Sequence, residues 1–217
     1  MRITAARGGR ALATGCLPDL DRWTSGYDAG LHSGDVGWHL RFPDQDLLDA
    51  FRGWRSDPDP WVLLYGALGP DHAAHHDPCV RTLDGDDDVA ARVAVQRSAF
   101  APGSTFSADL WARMASGTPY DRRFEMVCWT DDGQPAAAAT GWFAGPGRCA
   151  ILEPVGTHAD HQRRGYGRRV NLGVMAALAR AGASGVRVHT PAANPAAVAT
   201  YEACGLRQVD WTTALQR

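Results

Sequence analysis

Residues 149–170 read CAILEPVGTHADHQRRGYGRRV, and the other elements of the chain can be ordered around this stretch. It opens with an apolar run at 149–152, which is typical of a buried strand. It ends at Val170, which with Val174 and Leu178 predicts one apolar face of a helix. The segment QRRGYG at 162–167 is therefore predicted to be a loop from a strand into a helix.

The composition of this loop indicates an anion site. Glycines let backbone N–H groups approach a ligand closely, and the first turn of a helix offers free N–H groups with the helix dipole behind them. Arg168 and Arg169 fall in that first turn, where the dipole disfavours cations, and Arg163 and Arg164 precede them. A bound polyphosphate would relieve this conflict. A solvated basic turn and a nucleic-acid patch are the alternative interpretations.

Composition limits the classes of protein to which the chain can belong. Its 217 residues are 45% hydrophobic and 21% charged, which is typical of a soluble protein with one full domain and a smaller module. The formal net charge of −2 argues against binding to nucleic acid or a membrane surface. We find neither a membrane-spanning apolar run nor a signal peptide, so we expect a cytoplasmic protein. The 5 cysteines are scattered, which fits reduced thiols.

The first third of the chain predicts a small α/β module at 1–75. Residues 1–30 are weakly patterned and are expected to be irregular. Strands are predicted at 38–42 and 61–65, with a short helix between them that carries Leu47, Phe51 and Trp54 on one face. The segment 69–77 is predicted to be a linker. It contains three histidines, but no further ligand is marked out, so we assign no metal.

The remaining two thirds predict alternating strands and helices. Strands are expected at 80–83, 124–130, 136–143, 185–190 and 206–215, in addition to the strand that ends at Thr157. One helix carries Val89, Val93 and Phe100, and the next is expected to begin after Ser107 as its N-cap, with Leu110, Trp111 and Met114 facing inward. A last helix is predicted from Asn194 and Pro195 to about Ala203.

Two spaced motifs resemble those of the GNAT superfamily, the acyl-CoA-dependent N-acetyltransferases. Gln162-x-x-Gly165-x-Gly167 resembles the family signature Q/R-x-x-G-x-G/A. Asn194, Ala197, Tyr201 and Gly205 resemble a second family pattern, with Leu206 where phenylalanine is usual. The endings that P-loop and Rossmann phosphate loops require are missing. The resemblance covers roughly residues 80–217. It implies an α/β fold for 79–217, with a mixed, mostly antiparallel central sheet flanked by helices, and a degenerate partial copy of this fold at 1–75.

The resemblance also implies acetyl-CoA as co-substrate, without a metal. Backbone groups of Val155–Thr157 would bind the pantetheine arm, and Gly156 would allow its close approach. Backbone N–H groups from Arg163 to Arg168 would hold the pyrophosphate. The full set of expected cofactor-binding residues is Val155, Gly156, Thr157, Gln162, Arg163, Arg164, Gly165, Tyr166, Gly167, Arg168 and Asn194.

The reaction implied is acyl transfer by direct attack of an amine on the thioester. Tyr201 matches the family tyrosine that serves as general acid, and a backbone N–H of the central strand would polarise the carbonyl. Glu153 is the candidate base, because strand alternation predicts that it shares a face with Val155. An exposed glutamate at the end of a strand is an equally weighted interpretation. His158 is a second candidate base.

The acceptor is expected to be a primary amine of a small molecule or a peptide, and an aminoglycoside stays open. Trp111, Trp129, Trp142 and Glu125 come from the elements that build the acceptor pocket in this family, although tryptophan is more often a core residue. The alternative function is a non-catalytic acyl-CoA-binding sensor or scaffold. No nucleic-acid or membrane partner is expected. A homodimer is among the expected assemblies, because dimers are common in the family.

Overall fold

The computed structural model describes residues 3–7, 10–15, 39–42, 55–56, 59–117 and 120–216. By contacts the chain divides into two compact units. The smaller unit comprises Met1–Leu63, Thr190–Asn194 and Asp210–Arg217, and the larger comprises Leu64–His189 and Pro195–Val209. The boundary at residues 75–79 that the sequence suggested stays a prediction.

The smaller unit contains short antiparallel strands. Strands β1 (Ile3–Arg7) and β2 (Arg10–Gly15) pair with each other, and β1 also pairs with β3 (His39–Phe42). The end of the last strand, β11 (Arg207–Gln216), pairs with β3 and with the two-residue β4 (Arg55–Ser56). The expected irregular start is therefore wrong for residues 3–7 and 10–15, whereas the strand predicted at 38–42 is confirmed. The helix predicted around Phe51 lies outside the described residues.

The larger unit is a mixed sheet flanked by helices, as the sequence predicted. Its seven strands follow the order β11-β5-β10-β9-β8-β7-β6. Strands β6 to β9 pair in antiparallel fashion, and β9 pairs in parallel with β10. The strands not yet bounded are β5 (Trp61–Ala67), β6 (Val80–Thr82), β7 (Glu125–Trp129), β8 (Pro135–Trp142), β9 (Cys149–Thr157) and β10 (Gly185–Pro191). The helices are α1 (Pro70–Ala73), α2 (Asp86–Ala99), α3 (Ala108–Ala115), α4 (Tyr166–Arg180) and α5 (Pro195–Glu202).

Local sequence explains where these helices begin. The side chain of Ser107 accepts a hydrogen bond from the Leu110 N–H (3.3 Å), so it caps α3 as predicted. Three aspartates form the first turn of α2, where the helix dipole favours negative charge. Among the described residues, no helix is both long and apolar enough to cross a bilayer.

Helix α4 packs closely against one face of the sheet. Val170, Val174 and Leu178 are completely buried, which confirms the predicted apolar face. Glycines make the close approach possible. A Cβ atom at Gly173 would lie 2.6 Å from Val80 Cγ1, and one at Gly141 would lie 2.8 Å from Val174 Cγ1. The other face of the sheet is covered by α2, over a buried cluster formed by Leu83, Val89, Val95, Val127 and Ala138.

The segment predicted to be a linker contains α1 and is tied to α4. The guanidinium of Arg169 donates two hydrogen bonds to the Asp77 carboxylate (2.7 and 2.8 Å). Near the other end of α4, Arg180 donates to the Ala73 carbonyl (2.9 Å). Residues 70–77 therefore lie along α4 and belong to the larger unit.

We expect Asp77→Asn to reduce the free energy of unfolding by about 1–2 kcal/mol at pH 7, because hydrogen bonds to a charged, half-buried group are stronger than neutral ones. The hydrogen bonds from Arg169 hold the Asp77 pKa below its usual range. This stabilisation is thus present above the unfolded-state pKa and is lost as the pH falls through the folded-state value. Urea unfolding at pH 7 and at pH 3 measures both effects.

The matched control for this prediction is Asp121→Asn. Asp121 pairs with Arg123 (2.6 Å), whose side chain is 73% exposed, and such surface pairs contribute little. Equal losses of stability in the two variants, or a loss at Asp77 that is as large at pH 3 as at pH 7, would contradict the prediction.

Candidate active site

The second half of the central strand β9 is open along one edge. Strand β8 pairs with β9 as far as Thr157. Strand β10, on the other side, is in register only over Gly185–Arg187, opposite Cys149–Ile151. Residues 153–157 are consequently half-buried, although β9 is an interior strand of the sheet. The C-terminal half of β9 therefore presents a backbone edge without a described strand partner.

The hydrogen-bond pattern shows which backbone groups face this edge. The His158 N–H donates to the Ala136 carbonyl (2.8 Å), so these two residues form a hydrogen-bonded pair between β8 and the end of β9. Hydrogen-bonded and non-hydrogen-bonded pairs alternate along an antiparallel ladder. Gly156, two residues before His158, therefore also directs its N–H and C=O groups to β8. The N–H and C=O groups of Val155 and Thr157 then point away from β8, toward the open edge.

Gly156 serves the packing of a helix. A Cβ atom at this position would lie 2.7 Å from the Cβ of Ala99 and 3.3 Å from the ring of Phe100, at the C-terminal end of α2. Gly156 thus allows the close approach of α2, and the close approach of a ligand that the sequence suggested there stays a prediction.

A bulge in β9 determines where Glu153 lies. Ala139 is opposite Val155 and Gly141 is opposite Leu152, so both Glu153 and Pro154 lie against Thr140. Strand alternation is broken at this point, and the argument that put Glu153 on the face of Val155 is wrong. The indole N–H of Trp142 donates to the Glu153 carbonyl and so fixes the bulge to the neighbouring strand.

The loop after β9 presents free backbone donors. Arg163 and Gly165 both adopt positive φ (59° and 83°), which turns the chain sharply before α4. The first helical hydrogen bond runs from the Arg169 N–H to the Gly165 carbonyl. Within the described part of the chain, the N–H groups of residues 163–168 have no backbone or side-chain acceptor. Consecutive free N–H groups before a helix of 15 residues form a site for an anion.

The arginines of this loop divide into two pairs. Arg169 is neutralised by Asp77, and the Arg168 Nε donates to the Ala203 carbonyl (2.9 Å). The crowding predicted in the first turn is therefore partly relieved within the protein. Arg163 and Arg164 are exposed and form no salt bridge among the described residues, although Asp132 lies close enough to Arg164 for an electrostatic interaction. Their charge is available to a ligand.

Three of the other expected cofactor residues belong to this loop or to the first turn of α4. Gln162 is exposed, Tyr166 is half-buried, and Gly167 is buried, where a Cβ atom would meet Thr157 Oγ1 at 2.9 Å. Asn194 belongs to the smaller unit, where its N–H donates to the Pro191 carbonyl (2.9 Å).

Tyr201 is 6% exposed, and its phenol is kept neutral. Burial raises the Tyr201 pKa, and the electrostatic influence of Cys204 and Glu153 raises it further. Glu153 therefore lies close enough to Tyr201 to affect its pKa, and the catalytic roles of both residues stay predictions. His158, the second candidate base, is half-buried and lies 3.7 Å from the Asp160 carboxylate.

A buried polar cluster lies under α2 and α3. The Glu125 carboxylate accepts hydrogen bonds from Arg92, Thr140, Trp111 and Tyr120, at 2.9, 3.2, 2.9 and 2.6 Å. Glu125 is therefore saturated by the protein. Trp111 and Trp142 come together around Tyr120, which sequence reasoning missed because no motif contains it. Trp129 packs on the core cluster of the larger unit, with Arg81 over its ring.

No set of three or more His, Cys, Asp or Glu side chains among the described residues is arranged to hold a metal ion. His72 lies in the segment that was predicted to be a linker. Its Nδ1 accepts a hydrogen bond from the Gly69 N–H (3.3 Å) and so caps α1.

Comparison with solved structures shows the fold. A GNAT-family structure from Novosphingobium aromaticivorans DSM 12444 is 21% identical and aligns over 94% of this chain and 82% of its own, with a TM-score of 0.65. An N-acetyltransferase from Sphaerobacter thermophilus is 16% identical and aligns over 99% and 76%, with the same TM-score of 0.65. A tandem GNAT protein from the clavulanic acid biosynthesis pathway is 14% identical. It aligns over 81% of this chain and 59% of its own, with a TM-score of 0.57.

Sequence comparison identifies the family. No curated protein matches the chain at a significant level. The profile of the Acetyltransferase (GNAT) family matches residues 94–206, which is more than half of the chain and extends from the second half of α2 to beyond α5. The matched region contains the open edge of β9, the loop of free N–H groups and Tyr201. The chain therefore belongs to the GNAT family of acetyltransferases.

Proposed function

We propose that this protein is an acetyl-CoA-dependent N-acetyltransferase that acts on a primary amine by direct attack. Membership of the GNAT family supports acyltransferase activity. The observation that carries the proposal is the open edge of β9, which leads directly into a loop whose N–H groups lack acceptors. An amide-bearing arm that ends in a pyrophosphate matches both features at once.

The backbone supplies most of the cofactor site in this proposal. Val155 and Thr157 would bind the amides of the pantetheine arm as if it were an added strand. The N–H groups of residues 163–168 would hold the pyrophosphate, with the α4 dipole behind them. Arg163 and Arg164 would add positive charge beside the phosphates.

Acetyl-CoA would supply the acetyl group as a thioester. One side chain would accept a proton and another would donate one. Glu153 accepts a proton from the attacking amine, directly or through a water molecule, as the new C–N bond forms. Tyr201 gives its phenolic proton to the sulfur as the C–S bond breaks. Its raised pKa keeps the phenol protonated for this role. A backbone N–H of β9 polarises the acetyl carbonyl.

We expect acetyl-CoA to stabilise the protein by about 2.7 kcal/mol at a concentration a hundredfold above its Kd. A thermal-shift titration measures this stabilisation, and release of free thiol in the presence of amines measures transfer. The double variant Arg163→Ala/Arg164→Ala should weaken the binding of acetyl-CoA more than the binding of pantetheine, because pantetheine carries no phosphate.

Arg148→Ala is the control for this experiment, because Arg148 is exposed and precedes β9 at the opposite end of that strand. Absence of any shift at millimolar acetyl-CoA would refute the proposed cofactor. A shift without thiol release from any primary amine would indicate an acyl-CoA-binding sensor or scaffold.

A further inference from the structure

Three aromatic rings form a partly open surface, here called the aromatic wall, which consists of Trp111, Tyr120 and Trp142. The centroid of the Tyr120 ring lies 6.4 Å from that of Trp111 and 6.3 Å from that of Trp142, with steep interplanar angles of 88° and 67°. All three side chains are half-buried. They come from α3, from the segment before β7 and from β8.

The aromatic wall has no hydrogen-bond donor to spare. The Trp111 N–H and the Tyr120 O–H both donate to Glu125 Oε2, and the Trp142 N–H donates to the Glu153 carbonyl. A molecule that covers these rings therefore meets mainly hydrocarbon and π surface, with the Arg122 guanidinium beside the Trp111 ring. Hydroxyl groups pressed against such a surface lose their hydrogen bonds to water without replacement, which is unfavourable. The wall thus favours an apolar ligand body.

The aromatic wall adjoins the strand on which transfer is proposed to occur. The indole N–H of Trp142 donates to the main-chain carbonyl of Glu153, at the bulge of β9. The apolar side of α3 is also incompletely covered, because no side chain of that helix is fully buried. Leu110 and Met114 are half-buried beside Trp111. An amine held beside this part of β9 would have the rest of its body near these rings.

The positive charge of Arg122, beside the aromatic wall, disfavours the binding of a further cation there. The Arg122 guanidinium lies 5.6 Å from the centroid of the Trp111 ring and already occupies a cation–π position there. Arg122 is exposed and has no carboxylate partner among the described residues. An acceptor with several ammonium groups would bring like charge next to it.

We propose that the acceptor is a monoamine with an aromatic or aliphatic body, and that the aromatic wall selects it. Amino sugars are disfavoured by their hydroxyl groups, and polyamines by their additional charges. This inference rests on the proposed function, because it assigns the acceptor of that same reaction.

The test compares phenylethylamine, glucosamine and spermidine as acceptors at saturating acetyl-CoA. We expect kcat/KM for phenylethylamine to exceed the other two by about tenfold or more, the discrimination typical of apolar pockets. Tyr120→Leu, which removes the ring, should raise KM for phenylethylamine about five- to tenfold. Tyr120→Phe keeps the ring and should raise KM less. Tyr65→Leu, at a 38% exposed tyrosine of β5, is the control.

Further measurements separate this inference from the proposed function. KM for acetyl-CoA should be unchanged in Tyr120→Leu, whereas a loss of folding would raise it together with KM for the amine. Calorimetric titration of the three amines into the protein saturated with coenzyme A gives their ranking without turnover. Tighter binding of glucosamine or spermidine, or no binding by phenylethylamine, overturns the assignment of the acceptor. Failure of acetyl-CoA to bind overturns the proposed function instead. In that case, titration of the three amines into the protein without coenzyme A still gives the order of their affinities.

Discussion

Tyr201→Phe is expected to lower kcat about 10²–10³-fold, the range typical of a lost general acid. The phenol is 6% exposed and is kept protonated by burial and by the nearby Glu153 charge. Phenylalanine fills nearly the same volume, so the packing of α5 should persist. What the variant loses is the proton that the departing sulfur requires. The Kd for acetyl-CoA, measured by thermal shift, should therefore stay close to that of the wild type.

The pH dependence of kcat adds a second check on Tyr201. Because its folded-state pKa is raised above the ordinary value of 10.0, the proton stays on the phenol throughout the neutral and mildly alkaline range. We expect no alkaline loss of kcat from this residue below about pH 10. Tyr65→Phe is the matched control, at an exposed tyrosine. An unchanged kcat in Tyr201→Phe would mean that Tyr201 packs the core and gives no proton.

Arg92→Met is expected to reduce the free energy of unfolding by about 3–5 kcal/mol, because it leaves the charge of Glu125 buried without its counterion. The two side chains are 1% and 0% exposed, and their atoms Nε and Oε1 lie 2.9 Å apart. Burial lowers the Arg92 pKa, while the Glu125 charge raises it. The three remaining donors to Glu125 are neutral and cannot replace a guanidinium.

Denaturant unfolding of a double-mutant cycle measures this coupling. Arg92→Met/Glu125→Leu removes both charges, so it should be less destabilised than the sum of the two single variants. Arg123→Met breaks the exposed pair with Asp121 and should cost less than about 1 kcal/mol. A similar small loss for Arg92→Met, or strict additivity in the cycle, would show that solvent reaches the pair.

Much of the larger unit could be predicted because its local signals are strong. The 3.6-residue period of α4, the serine that caps α3 and the glycines of the loop at 162–167 each specify one structure. The start of the chain was missed because Ile3–Arg7 and Arg10–Gly15 lack the alternation of a half-buried strand. These two strands pair with each other in the folded chain, and the periodicity of the sequence does not indicate this pairing.

The candidate site shows the same division between local and non-local information. The anion loop could be predicted from glycines and charge. The bulge at Glu153 could not, because it depends on the register against β8, and alternation fails there. Tyr120 was missed for a related reason, since its neighbours Trp111 and Trp142 lie in other elements. Side-chain contacts across elements become visible only in three dimensions.

The open edge of β9 has a consequence for how the protein tolerates mutation. An edge that binds through N–H and C=O groups recognises the peptide-like spacing of a ligand and is indifferent to its own side chains. Conservative changes at Val155 should therefore leave ligand affinity intact, whereas proline there would remove a donor and abolish it. The binding proposed for residues 155–157 is encoded in the register of the strand and in an edge without a described strand partner, so a survey of conservative side-chain substitutions there would overlook it.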